Sequence, residues 1–252
     1  MEAAEAEAAA ALLLERFPAG IEERALAGIT EFAVYTDDRG EADLRGHFAD
    51  VTAEDVATGW EDRWKEFHQP IRAGGLWIGP PWIDPPSGEQ IVVVDPGRAF
   101  GTGAHPTTRA CIELLAGLDR GSLLDAGCGS GVVSVAAARL GFAPVTAVDV
   151  DDVAVEVARA TASANRVDVR VLQADVLADE LPRADVLVAN IELAIVERVL
   201  ERCSSPVAVS SGYLDSEVPT TVGWSAADRL ELDGWAADVL YAKSHSVTRL
   251  AS

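Results

Sequence analysis

The sequence predicts an α/β fold: a mostly parallel sheet with helices on both faces, an antiparallel strand at one edge, and a small N-terminal α+β domain. Three observations predict it. From Pro106 onward, helical apolar periodicity alternates with short apolar runs, as in parallel strands joined by crossover helices. One such run leads into three glycines at alternate positions, Gly127, Gly129 and Gly131. The final apolar runs flank Asp233-Gly234, a hairpin turn.

At 252 residues the chain suits one large or two small domains, and 49% hydrophobic with 24% charged residues excludes wholesale disorder, collagen and coiled coil. Against 20 Lys and Arg stand 41 Asp and Glu, a formal charge of −21. Such a chain repels nucleic acid and anionic membrane and attracts a basic partner. Direct sequence-specific nucleic-acid binding is therefore not expected. Cys111, Cys128 and Cys203 form no Cys-x-x-Cys pair and have no His at ligand spacing, so no disulfide framework and no metal site is expected. The acidic start (Glu2, Glu5, Glu7) is unlike a secretory or organellar leader, and no run of about 18 apolar residues occurs. A cytoplasmic protein, monomeric and free of membrane, is expected.

Residues 2–16 are strong helix formers stopped by Pro18 and Gly20. Residues 31–36 read as a strand, and Asp37-Asp38-Arg39-Gly40 as a turn. Residues 52–67 open on Thr52-x-x-Asp55 and place Val56, Trp60, Trp64 and Phe67 on one helical face. These features divide the chain into a small acidic N-terminal domain at 1–52, a linker helix at 53–70 and a main domain at 71–252. The aromatic face of that linker is expected to pack against a domain rather than bind substrate. Short strands broken by Pro and Gly follow, through Leu76-Trp77-Ile78, Pro80-Pro81-Trp82, Pro85-Pro86-Ser87-Gly88 and residues 91–94, an antiparallel entry to the main domain. Helices are then expected at 106–118, 131–140, 152–164 and 192–202. Strands are expected between them at 122–126, 144–149, 168–173, 184–189 and 206–210, and two more around Asp233-Gly234, at 230–235 and 236–242.

The chemistry concentrates where strand 122–126 meets the glycines. Leu123-Leu124-Asp125-Ala126 is a buried strand, and the glycines after it let a ligand approach the backbone before the N–H groups of a new helix. A dinucleotide fingerprint would space its third glycine differently. Asp149, at the tip of the next strand, can accept both hydroxyls of a ribose or cap the following helix. Asp175, one strand further, is a ligand contact or a turn acid. Thr107 and Thr108 begin a helix after the glycine-bearing segment 95–105, and can cap it or offer hydroxyls to a ligand. Asn190 ends an apolar strand at the edge where open α/β sheets bind ligands.

Asp-x-Gly-x-Gly-x-Gly with the later Asp149 resembles the class I S-adenosylmethionine-dependent methyltransferases, which have a Rossmann-like sheet. Phe100-Gly101-Thr102-Gly103-Ala104-His105-Pro106-Thr107-Thr108 before that motif and Asn190-Ile191 after it are similar to the ribosomal protein L11 methyltransferase (PrmA) family. The similarity runs from about Trp60 to Ser211-Gly212-Tyr213-Leu214 and the closing strands. The resemblance implies S-adenosyl-L-methionine as cofactor. It places Thr108 and Gly127, with Thr107 and Gly129 beside them, at the methionyl part, Asp149 at the ribose, Asp175 at the adenine, and Phe100 in a loop folded over the cofactor. Asn190 would lie near the transferable methyl, as both cofactor contact and catalytic residue. It implies a protein N-methyltransferase acting on lysine ε-amino or N-terminal α-amino groups of ribosomal protein L11, a basic partner that the chain's negative charge would steer.

Other readings stay open: another protein substrate, a catalytically silent cofactor-binding partner, or a nicotinamide enzyme. Base-amine methylation is disfavoured, since Ile191-Glu192-Leu193 follows Asn190 where such enzymes carry two prolines and an aromatic residue. His105 reads as a hydrogen-bonded loop histidine rather than a general base. Three features depart from the family: no first strand is evident in the N-terminal domain, Glu192 and Leu193 follow the Asn-Ile pair, and residues 215–229 are short for a helix.

Overall fold

A computed structural model describes residues 9, 13, 22–26, 29–34, 36, 38–48, 50–53, 68–95, 103–220 and 222–243. The chain divides into two compact units, Met1–Trp60 and Glu61–Ser252. Of the expected first helix only Ala9 and Leu13 are described, both helical and buried. The linker-helix residues 54–67, with Trp60, Trp64 and Phe67, lie outside the described residues, as does Phe100.

In the first unit, β1 (Glu22–Leu26) pairs antiparallel with β2 (Ile29–Ala33). A strand therefore does precede the expected one, and the expected one ends three residues early. Asp38 to Gly40 open a helix, α1 (Asp38–His47), instead of making a turn. Local charge explains the difference. Arg45 and His47 in the last turn suit the helix dipole, and Arg45 Nε donates to Glu41 Oε1 at 2.8 Å one turn apart.

The second unit opens with a three-stranded sheet: β3 (Ile71–Ala73) antiparallel to β4 (Leu76–Gly79), which is parallel to β5 (Gln90–Val93). The entry is thus only half antiparallel. Pro80 to Trp82 form a turn, not a strand, because two prolines remove ladder donors.

From there the alternation follows the expectation within a few residues. The elements are α2 (Pro106–Ala116), β6 (Leu123–Ala126), α3 (Val132–Leu140), β7 (Val145–Asp149), α4 (Asp152–Asn165), β8 (Val169–Gln173), β9 (Val186–Asn190), α5 (Leu193–Arg202), β10 (Val207–Leu214), β11 (Trp224–Leu232) and β12 (Trp235–Ala242). Their seven strands form one sheet in the order β11-β12-β10-β9-β6-β7-β8. All neighbours are parallel except those of β12, which runs against both β10 and β11. The reversed strand is therefore second from the edge, because the tight turn at Asp233-Gly234 folds β12 back between β11 and β10. β10 and β11 both run longer than expected, and among the described residues between them there is no helix.

Alternate residues serve opposite faces. On β9, Val186 and Val188 join Cys111, Ile112 and Leu115 of α2 and the apolar side of α3, whereas Leu187 and Ala189 join Val196, Val199 and Leu200 of α5. The crossing point lies between β6 and β9, where successive helices change face. Ligands bind outside the carboxyl ends of strands at such a point.

Candidate active site

Three chain segments converge at that edge. Leaving β6, the loop 127–131 carries glycines with φ of 76°, 52° and 77°, the left-handed region that a side chain resists. At Gly127 a Cβ would also fall 2.5 Å from Ile191 Cγ2. Gly127 and Cys128 N–H both donate to Val148 O (2.8 and 3.0 Å), tying the loop to β7, and Gly131 caps α3. Burial pushes the Cys128 thiol well up, so no thiolate chemistry resides there.

Asp149, at the end of β7, does not cap α4; Asp151 does, accepting Val153 N–H. Asp149 Oδ2 instead accepts Gly129 N–H at 2.9 Å, and Oδ1 accepts Asp151 N–H at 3.1 Å. Each oxygen retains a lone pair. The carboxylate is held against the glycine loop with acceptor capacity to spare. Asp175 Oδ1 closes a turn on Leu177 N–H at 2.7 Å, the turn role.

Neither Thr107 nor Thr108 caps α2. The cap is His105, whose Nδ1 accepts Thr107 N–H at 3.4 Å and lies 2.8 Å from Thr107 Oγ1. Its ring meets Trp235 edge-on at 4.9 Å between centroids, and burial lowers its pKa. The buried Thr108 hydroxyl has a different partner: Asn190 Nδ2 donates to its Oγ1 at 3.3 Å. The structure thus brings together Thr108, Gly127, Gly129, Asp149 and Asn190 around one edge, with Thr107 a residue away and bonded to His105.

Two features escaped the sequence reading. Asp125 is only 1% exposed beneath the loop, and its Oδ2 accepts Ser134 Oγ at 2.5 Å. Burial raises its pKa to about 6, against the Ser134 hydrogen bond, and the nearby Asp149 charge adds to the rise. The signal was present as a lone acid in an apolar strand and a lone serine in an apolar helix. The second feature is a polar cluster of the buried Tyr213 and Asp238 with the partly buried Arg229, on β10, β12 and β11. An acid within the apolar run of β12 foreshadows it.

The sheet order, the glycine loop and the acid after the second parallel strand define the class I methyltransferase fold, whose cofactor is S-adenosylmethionine. The profile of one family, described as Ribosomal protein L11 methyltransferase (PrmA), matches residues 24–217, and the chain belongs to that family. A ribosomal protein L11 methyltransferase of Thermoanaerobacter is 38% identical over 160 residues, covering 61% of this chain and 52% of that protein. One from Shewanella pealeana is 46% identical over 139 residues, covering 52% and 47% respectively. The chain spans about half the length of these curated relatives. The crystal structure of a ribosomal protein L11 methylase from Lactobacillus delbrueckii is similar at a TM-score of 0.62 and 25% identity, covering 70% of this chain and all of that one.

Proposed function

We propose that the chain is an S-adenosylmethionine-dependent protein N-methyltransferase that modifies lysine ε-amino or N-terminal α-amino groups of ribosomal protein L11. The observation that carries the reading is the convergence of the glycine loop, Asp149 and the Asn190–Thr108 pair at one sheet edge, in a chain of this family. The residues suit the cofactor. The loop 127–131 offers backbone and no lysine or arginine, which fits a phosphate-free ligand. Asp149 has acceptors left for ribose hydroxyls, and the start of α3 suits a carboxylate. Asp125 places a carboxylate beneath a ligand that is cationic at sulfur.

When bound, S-adenosylmethionine supplies an electrophilic methyl group. The chain's task is then to present a neutral amine in line with it. A lysine amine has an ordinary pKa of about 10.4 and is almost wholly protonated at neutral pH. With Nδ2 committed to Thr108, Asn190 is left to offer Oδ1 and its backbone carbonyl to the amine hydrogens, which aims the lone pair. Desolvation in the cleft favours the uncharged amine. His105 takes no proton in this scheme, since its Nδ1 is engaged as the cap of α2 and burial disfavours its charged form.

By the same reading Thr107, Thr108, Gly127, Gly129, Asp149 and Asn190 contact the cofactor, and Phe100 belongs to a loop that covers it. The small N-terminal domain at 1–52 recognises the protein substrate, the helix at 53–70 links it to the methyltransferase domain at 71–252, and the enzyme acts as a cytoplasmic monomer. The charge of −21 suits a basic ribosomal partner.

The test is mass spectrometry of purified L11 after incubation with the chain and S-adenosylmethionine. Whole-methyl increments on lysine or N-terminal peptides are expected, and Asn190→Ala should slow their appearance about 100-fold. Unmodified L11, with methyl groups on another ribosomal protein, would replace the substrate; full turnover by Asn190→Ala would remove that residue from the mechanism.

A further inference from the structure

The Asn190–Ile191 turn is wedged between two glycines. On one side the Ile191 side chain lies over Gly127. On the other its backbone lies against Gly212, where a Cβ would fall 2.1 Å from Ile191 O and 2.6 Å from its carbonyl carbon. Those are backbone atoms that no rotamer change can move. Gly212 also has φ of 100°, so both conformation and space demand glycine there. Ile191 N–H donates to Ser211 O at 3.1 Å, which ties the turn to the same spot on β10.

Gly212 is the extra residue of a β-bulge. Ser211 pairs with Ala237 of β12 and Tyr213 with Ala236, so two steps along β10 meet one along β12. Such insertions re-aim the neighbouring chain beside active sites. Its place along the strand is held from both sides by buried side chains. Before it, Ser211 Oγ donates to Ala236 O at 2.7 Å. After it, the Tyr213 hydroxyl lies 2.8 Å from both Ser210 Oγ and Asp238 Oδ2. Asp238 accepts Arg229 Nη1 at 2.9 Å, and Arg229 Nη2 donates to Asp215 O and Glu217 O at 2.7 and 2.8 Å. Tyr213 and Asp238 are 1% and 2% exposed. A polar network this deep adds little net stability over apolar packing, but it permits one register.

We infer that Tyr213, through Asp238 and the bulge at Gly212, is a positioning residue that sets the Asn190 side chain for cofactor and amine. The inference rests on the role proposed above for Asn190. The chain of contact is continuous: hydroxyl to carboxylate across β10 and β12, bulge to turn, turn to Asn190, and Asn190 to Thr108.

Tyr213→Phe removes one hydroxyl and little volume, Gly212→Ala forces the contact with Ile191, and Trp224→Phe serves as a control. The control deletes a buried bond of the same sheet, Trp224 Nε1 to Leu200 O at 3.1 Å, at the opposite edge from Asn190. Two readouts are taken below the melting range of every variant. One is the Asn190 side-chain amide NMR signal of the ligand-free protein; the other is the Kd for S-adenosylhomocysteine by calorimetry. Tyr213→Phe should shift the Asn190 signal and weaken binding about 5-fold, and Gly212→Ala should weaken it by about 100-fold. Trp224→Phe should lower Tm while leaving both readouts unchanged. If Gly212→Ala does not fold, Tyr213→Phe carries the test alone. An Asn190 signal unmoved by Tyr213→Phe, or moved equally by Trp224→Phe, overturns the inference. A wild-type chain that fails to bind S-adenosylhomocysteine while Tyr213→Phe still moves that signal overturns the cofactor reading and leaves the positioning intact.

Discussion

Two carboxylates lie buried in the main sheet, and they are treated differently. Asp238, on β12, has a guanidinium and a phenol against it, and the cluster ends in backbone carbonyls of the loop after β10. Asp125, on β6, accepts a hydrogen bond from the Ser134 hydroxyl, and burial lifts its pKa to about 6. The first has its charge matched within the protein and acts by fixing the register of β10 against β12. The second lies beneath the glycine loop, and on the function proposed above it faces the cationic cofactor. Perturbed acids gather at functional sites for this reason.

The strongest way to break the comparison is Arg229→Met. It should strand the Asp238 charge in the sheet and cost about 3 kcal/mol or more in urea unfolding at pH 7. A loss under about 1 kcal/mol, the worth of an exposed ion pair, would mean that the Asp238 charge is not matched as described.

Asp125→Asn sharpens the other half. The native pKa of Asp125 stands above its ordinary 3.8, so the folded protein holds this proton more tightly than the unfolded chain. Stability from this group is therefore greatest below about pH 4 and falls as pH rises through about 6. At pH 7 the wild type carries a cost of up to about 3 kcal/mol that the amide avoids. Asp125→Asn should be the more stable protein at pH 7, with the advantage shrinking towards pH 4, yet should bind S-adenosylmethionine about 10-fold more weakly. Loss of stability at both pH values would show that the carboxylate is structural after all.

Ser134→Ala has the smallest expected effect. It removes the hydrogen bond that restrains the Asp125 pKa, so stability at pH 7 should drop by about 1 kcal/mol. The acid limb of cofactor binding should also move to higher pH, because Asp125 takes up its proton sooner. An unchanged limb would separate Asp125 from binding.

Most of the scaffold was readable along the chain. The alternation after Pro106 carried the helices and strands, because each crossover unit has its own apolar period. The pairing of β12 between β10 and β11 was not readable, since strand order is decided by partners far apart in sequence; only the Asp233-Gly234 turn is local. The turn expected at 37–40 failed because acids at a helix start and acids in a turn use the same letters. At the site, the placement of Gly127, Asp149 and Asn190 at the carboxyl ends of their strands was legible, because each closes an apolar run. The cap at His105 was not, since Thr107 and Thr108 offered two better-known caps and the choice rests on where Pro106 begins α2. The value of Gly212 was hidden for another reason: a glycine in a strand shows its purpose only when the backbone it touches is known.

β12 is the last described strand to leave the ribosome, yet it occupies an interior lane of the sheet. Until it threads between its neighbours, β10 lacks the partner against which its bulge is defined, and Asn190 lacks its final support. β6, β7 and β9, which carry the glycine loop, Asp149 and Asn190, thus all precede in the chain the strand that the bulge at Gly212 needs for its register.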